Sequence, residues 1–164
     1  MPIQIITGDI IESKEKYICH QCNCLTNHAA GIAKTIFERF PYADIYASRK
    51  GTQYDPKHLI PGHEPGKIIV CGNGKDQRYI VNMFGQLYPG KPKFPQSKID
   101  GTVARRNYFR SCLQALTNLS ELDSISFPFK IGCNMAGGNW DDYKNDLDVF
   151  ASHIKKPVTI YQLP

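Results

Sequence analysis

The chain has 164 residues, 41% of them hydrophobic and 21% charged, which is ordinary globular composition and enough length for one substantial core without staples. No apolar run approaches membrane length, and Met1-Pro2-Ile3-Gln4-Ile5 has neither a basic segment nor an apolar run behind it, so a single cytoplasmic domain over residues 1–164 is expected, as a monomer with no membrane contact. The formal net charge of +5 favours anionic ligands or partners.

Ile3 to Thr7 reads as a first strand closed by Gly8-Asp9-Ile10, which leaves a carboxylate at the strand end. Lys16 to Gln21 reads as a second strand. A polar loop follows, with Asn23, Asn27 and His28, and then the small residues Ala29-Ala30-Gly31 open a helix marked by Ile32, Ile36 and Phe40. Such a strand–loop–helix unit gathers backbone N–H groups at a helix N-terminus, a ready site for phosphate. Pro41 ends that helix and suits the first turn of another over Tyr42 to Ser48. Residues 51–66 hold three prolines and no periodicity, so they read as a loop.

Gly66 to Cys71 and Gln77 to Phe84 read as strands joined by Gly72-Asn73-Gly74-Lys75-Asp76, a hairpin turn. The Gly-x-Gly there is no dinucleotide fingerprint, because a strand follows it and not a helix. Leu87 to Lys98 carries three prolines and reads as a flap or surface loop. Asp100 is expected to cap a long helix with Phe109, Cys112, Leu113, Leu116 and Leu119 on its apolar side and Arg106 and Arg110 opposite. Asp123 to Phe129 reads as a strand, and Gly132-Cys133-Asn134-Met135-Ala136-Gly137-Gly138 as a second glycine-rich loop. Asn139 then caps a helix with the stripe Trp140, Tyr143, Leu147, Phe150 and Ile154, and Pro157 to Leu163 closes the chain as a strand. Six strands and about four helices imply an α/β sandwich, its sheet mixed because the hairpin forces one antiparallel pair.

Most of the six cysteines fall inside apolar strand or helix patterns, which fits buried thiols better than disulfides. Cys19 and Cys22, three apart on a strand, point to opposite faces, which argues against zinc, and no metal or cofactor is expected. The cations between Lys75 and Arg110 form either a solvated face or a field that draws in phosphates.

Three features in order resemble the macrodomain family of ADP-ribose-binding modules. They are Gly8-Asp9-Ile10 after the first strand, Asn23 in an Asn-x4-His-x2-Gly-Ile-Ala frame, and Ile131-Gly132-Cys133 followed by Gly137-Gly138 and Trp140. The resemblance implies a three-layer α/β/α sandwich with a central mixed sheet. It places Asp9 on the adenine amino group with Ile10 beside it, and Asn23 on the distal ribose hydroxyls. Backbone N–H groups of Ala29, Ala30, Gly31 and Ile32, and of Cys133, Asn134, Met135, Ala136, Gly137 and Gly138, would cradle the two phosphates, with Gly132 and Phe84 also at the ligand. Val158 to Leu163 resembles the C-terminus of the branch with the terminal ADP-ribose glycohydrolase and an ADP-ribose 1''-phosphate phosphatase, which sets Tyr161 along the adenine.

Where lysine-dependent members carry their lysine this chain has Gln86, which cannot form a Schiff base, and Ala136 stands near the position of the glycohydrolase's aspartate. Asn23 and His28 have the spacing of the pair in macrodomains that remove the phosphate of ADP-ribose 1''-phosphate, and His20 matches a histidine of the phosphatase branch. A histidine titrating near neutrality suits acid–base work. The expected activity is therefore hydrolysis of ADP-ribose 1''-phosphate by Asn23, His28 and His20. The alternatives are lysine-independent removal of ADP-ribose from protein or nucleic acid, and a non-catalytic reader of ADP-ribose or another nucleotide signal.

Overall fold

The computed structural model describes residues 2–49 and 55–164. Six strands form one sheet: β1 (Gln4–Thr7), β2 (Tyr17–Cys22), β3 (Ile68–Cys71), β4 (Tyr79–Phe84), β5 (Ile125–Pro128) and β6 (Val158–Gln162). Their order across the sheet is β1-β6-β5-β2-β4-β3. All neighbours run parallel except β3 and β4, the hairpin pair, so the sheet is mixed as expected.

The sheet is covered on both faces. Helices α2 (Thr102–Thr117) and α3 (Trp140–Ile154) lie on one side, where Phe109, Leu116, Leu147 and Phe150 pack on Cys19, Val81, Met83 and Phe127. Helix α1 (Gly31–Arg39) lies on the other, where Ile36 and Phe37 pack with Ile18, Cys22, Ile80 and Phe84. The period of two along β2 thus sends Cys19 into one core and Cys22 into the other. Burial on both faces explains why β2 and β4 carry apolar residues on both, interrupted by His20 and Gln21 in β2 and by Asn82 in β4.

Two expected elements are corrected. Tyr42 to Ser48 is not a helix: a single 3-10 turn spans Pro41–Ala43, and the chain then leaves helical geometry at Asp44, whose carboxylate accepts from Tyr46 N at 3.0 Å. Asp100 does not cap α2. Gly101 occupies the N-cap without a side-chain bond, and the Asp100 carboxylate instead accepts from Leu87 N at 2.7 Å and Tyr88 N at 3.2 Å. Asn139 does cap α3, accepting from Asp142 N at 3.1 Å. Of the expected loop over residues 51–66, residues 51–54 lie outside the described residues, and a 3-10 turn at Pro56–His58 lies within the rest.

In the basic stretch between Lys75 and Arg110 the four arginines are structural, while Lys75, Lys91, Lys93 and Lys98 are exposed. Arg106 and Arg110 both pair with the buried Asp146 of α3, at 3.1 and 3.0 Å, and Arg78 donates to backbone carbonyls of Ile11 and Glu15. Arg105 is almost wholly buried and pairs with Asp100.

Candidate functional site

A cleft runs over the C-terminal ends of the parallel strands, the edge at which open α/β sheets hold ligands. It has two cavities, about 330 Å³ and 370 Å³, which share Ile32, Pro128, Phe129, Lys130 and Asn134 as a common wall. Each is in the range of a small-molecule site.

The first cavity lies between the loop after β2 and the loop after β5. Asn23, Thr26, His28, Ala30 and Gly31 form one wall, and Gly132, Cys133, Met135 and Ala136 form the other. Asn23 organises its own loop: its Oδ1 accepts from Leu25 N and Thr26 N, both at 2.9 Å, and its Nδ2 donates to Thr26 Oγ1 at 3.0 Å. One Nδ2 hydrogen remains beyond that bond. Thr26 Oγ1 in turn donates to the carbonyl of His28 at 3.1 Å. His28 itself is exposed at the rim, its Nδ1 beside Asn27 Oδ1 at 3.3 Å.

Helix α1 opens toward the cleft from Gly31, which takes φ +58°, and the N–H groups of its first turn have no intrahelical acceptor. The facing loop turns on Gly132 at φ +75°, closed by Gly138 N donating to Gly132 O at 3.0 Å and Cys133 N to Lys130 O at 2.9 Å. A Cβ at Gly138 would stand 2.5 Å from that same carbonyl, so the closure requires glycine. Burial pushes the Cys133 thiol up to about 12, which leaves it protonated and a poor nucleophile at neutral pH.

The floor is amide. Gln21 Nε2 donates to Gln86 Oε1 at 2.8 Å, and Gln86 Nε2 donates to Tyr88 O at 2.8 Å. The carbonyl of Tyr88 fixes the orientation of Gln86, which fixes that of Gln21 and leaves Gln21 Oε1 buried without a partner. Gln86 is thus a strut between the end of β4 and the Tyr88 segment.

The second cavity holds Asp9, Ile10, Tyr161, Gln162 and Leu163. Asp9 caps a 3-10 turn through Ile11 N at 3.0 Å and keeps its other carboxylate oxygen free of protein bonds. Tyr161 packs its ring on Gly8 and donates its hydroxyl to Glu15 Oε1 at 2.5 Å.

The chain is similar to an uncharacterized 17.5 kDa protein of Enterobacteria phage T4, 25% identical over 157 residues that cover 94% of each chain. It is also similar to an uncharacterized protein of Sulfurisphaera tokodaii, 28% identical over 130 residues, 78% of this chain and 63% of that one. No protein-family model matches it. Among solved structures, the macrodomain of Mycobacterium tuberculosis DarG superposes with a TM-score of 0.70 at 17% identity, covering 99% of this chain and 97% of that one. The chain has the macrodomain fold. A Trypanosoma brucei macrodomain solved in complex with ADP-ribose also superposes, with a TM-score of 0.61 at 13% identity, covering 98% of this chain and 63% of that one.

Within this macrodomain fold most of the expected site residues come together. Asn23, His28, Ala30, Gly31 and Ile32 share the first cavity with Gly132 to Ala136, while Asp9, Ile10 and Tyr161 share the second. Five residues line neither cavity, and their surroundings say why. His20 has no exposed surface: its Nε2 meets Asn82 Oδ1 at 2.7 Å, its ring packs on Phe37, and burial lowers its pKa to about 4, so it cannot serve as a catalyst at the cleft. Phe84 is fully buried beneath His63, their ring centres 5.1 Å apart. Ala29 packs against the α1-side core, and Gly137 lies under Lys91. Gly138 also stays outside the lining and acts through the loop closure described above.

Sequence reasoning missed Gln21, Thr26, Tyr46 and Lys130 of the lining. Lys130 takes φ +59° between the end of β5 and Gly132, a backbone geometry that nothing in its residue type announces. Arg105 belongs to the stretch of cations expected as a solvated face or as a field that draws in phosphates. It instead donates to Tyr88 O at 3.1 Å and Ala136 O at 3.2 Å while bound to Asp100, tying the Tyr88 segment to the Ala136 wall of the first cavity.

Proposed function

We propose that the cleft binds ADP-ribose and that the protein hydrolyses ADP-ribose 1''-phosphate to ADP-ribose and phosphate. The observation that carries the reading is the cleft itself, two adjoining cavities with a common wall, the free oxygen of Asp9 in one and His28 in the other. An elongated ligand with an amino-bearing base at one end and a sugar at the other fits such a pair. The first-turn N–H groups of α1 and the loop from Gly132 to Ala136 face its middle, where a diphosphate would lie.

In the reaction water attacks phosphorus, the bond from phosphorus to the ribose oxygen breaks, and the leaving oxygen takes up a proton. His28 is the acid–base group, either accepting the water proton or protonating the leaving oxygen. Asn23 holds the loop that carries His28 and offers its remaining Nδ2 hydrogen to a ribose hydroxyl. Calorimetry of wild-type protein with ADP-ribose, followed by a phosphate-release assay with ADP-ribose 1''-phosphate, tests this. Binding with sustained release supports it, whereas binding without release makes the protein a reader.

A second reading has its own support. His28 is exposed at the rim, so the distal end of a bound ADP-ribose would face solvent and could carry an attached protein or nucleic acid. Release of ADP-ribose from such a conjugate, with no release of phosphate from the 1''-phosphate, would favour it.

A further inference from the structure

Arg49 lies directly behind the wall of the first cavity, with 7% of its surface exposed. Its guanidinium donates to Asn23 O at 2.9 Å and Thr26 O at 3.0 Å, with Asn23 Oδ1 at 3.4 Å, and its charge sits 4.3 Å from the ring centre of Tyr46. Asn23, Thr26 and Tyr46 all line the cavity. The remaining bonds, 3.1 Å from Nη2 and 3.3 Å from Nε, both go to His63 Nδ1, which must therefore be unprotonated. Every one of these acceptors is neutral. Among the described residues no carboxylate pairs with Arg49, whereas the other deeply buried arginine, Arg105, has Asp100.

A buried cation is ordinarily matched by an anion, because withdrawing it from water is expensive. Arg49 is held in place by backbone carbonyls, an amide, an imidazole and a π face, which bind the group but leave its charge uncancelled. We infer that Arg49 is a specificity-determining residue: its unmatched charge makes the Asn23–His28 end of the cleft select ligands with an anionic group at their distal terminus. The inference rests on the proposed ADP-ribose reading and sharpens it, for it separates a terminal phosphate from a terminal hydroxyl. It also gives His63 a positioning role, since a neutral Nδ1 keeps the guanidinium turned toward the loop.

The test is calorimetry with three probes, namely ADP, ADP-ribose and ADP-ribose 1''-phosphate, the last in a His28→Ala background that slows turnover. ADP reports the base and diphosphate, and the other two differ only at the distal end. In the His28→Ala background we expect the 1''-phosphate to bind roughly tenfold more tightly than ADP-ribose, the scale of one partly screened charge contact. Adding Arg49→Gln should erase most of that preference while ADP affinity stays within about twofold. Arg49→Lys keeps a charge that burial makes titratable, so its preference should be present at neutral pH and fade on raising the pH, whereas arginine's persists. That variant keeps the inference testable if Arg49→Gln fails to fold. An unchanged preference in Arg49→Gln, equal losses for all three probes, or an Arg49→Lys that folds but lacks the preference at neutral pH would overturn the inference and leave the ADP-ribose reading standing. Failure of all three probes to bind the wild type would instead overturn the reading itself.

Discussion

The guanidinium of Arg105 grips the carboxylate of Asp100 through two parallel bonds, Nε to Oδ1 at 3.0 Å and Nη2 to Oδ2 at 2.6 Å, with both side chains almost out of water. The same carboxylate accepts from the backbone of Leu87 and Tyr88, and the same guanidinium reaches Ala136 O. Removing either partner strands a buried charge, so Asp100→Asn or Arg105→Gln should each destabilise the fold by about 3–5 kcal/mol in denaturant titrations. Replacing both at once with apolar residues should cost clearly less than the sum of the two. Near-additive losses would mean that the pair is not coupled.

His28→Ala should lower turnover of ADP-ribose 1''-phosphate by about 10²–10⁴-fold, the usual worth of a general acid–base group, with ADP-ribose affinity little changed. Since the imidazole is exposed at the rim, its loss should leave thermal stability as it was. Parallel losses of affinity and turnover would reduce it to a binding residue.

Asp9 has two functions that one substitution can separate. Asp9→Asn retains an oxygen for Ile11 N, and with it the cap, but removes the carboxylate from the second cavity. Affinity for ADP-ribose should fall by about 1–3 kcal/mol at unchanged stability. An unchanged affinity would remove the adenine assignment.

Stability should decline in mild acid because of His20. Burial lowers its pKa from 6.5 to about 4, so between those values the unfolded chain carries a proton that the folded chain lacks. Each step down in pH across that interval therefore favours unfolding; the stability is complete above about 6.5 and exhausted below about 4, an overall loss of about 3 kcal/mol. Unfolding midpoints measured from pH 7.5 to 4, compared with His20→Gln, test this: the variant should show a visibly shallower decline.

Gly31→Ala should damage the site more than the fold. The added methyl would be 2.9 Å from Met135 Sδ at a backbone φ of +58°. The strain is about 1–2 kcal/mol, and the flexible Met135 side chain would be pushed across the cavity it lines. ADP-ribose affinity should drop by more than thermal stability does, as seen by calorimetry beside a melting curve.

The strands, the three long helices and both loops were legible because period and punctuation are local signals. Ile36 and Phe40, Phe109 and Leu116, and Leu147 and Phe150 all fell on the buried faces that their spacing required. What escaped was decided by contacts distant in sequence. Asp100 before a helix looks like a cap, and only the approach of Leu87 and Tyr88 thirteen and twelve residues away turns it elsewhere. His20 sits on a strand beside the cleft, but alternation along a strand does not say that both its faces are covered, and Phe37 with Asn82 closes over this side chain. Arg49 was silent because nothing local marks an arginine whose partners are a loop 23–26 residues earlier and a histidine 14 residues later.

The bridge that Arg105 builds between the Tyr88 segment and Ala136 has a kinetic consequence. The Ala136 wall of the first cavity and the Tyr88 segment are fastened to one rigid group, so neither swings independently of the other. Association should follow a single exponential whose observed rate rises linearly with ligand concentration and reaches no plateau, because no opening of that wall precedes the encounter. Selectivity among ligands then resides in how fast each one leaves.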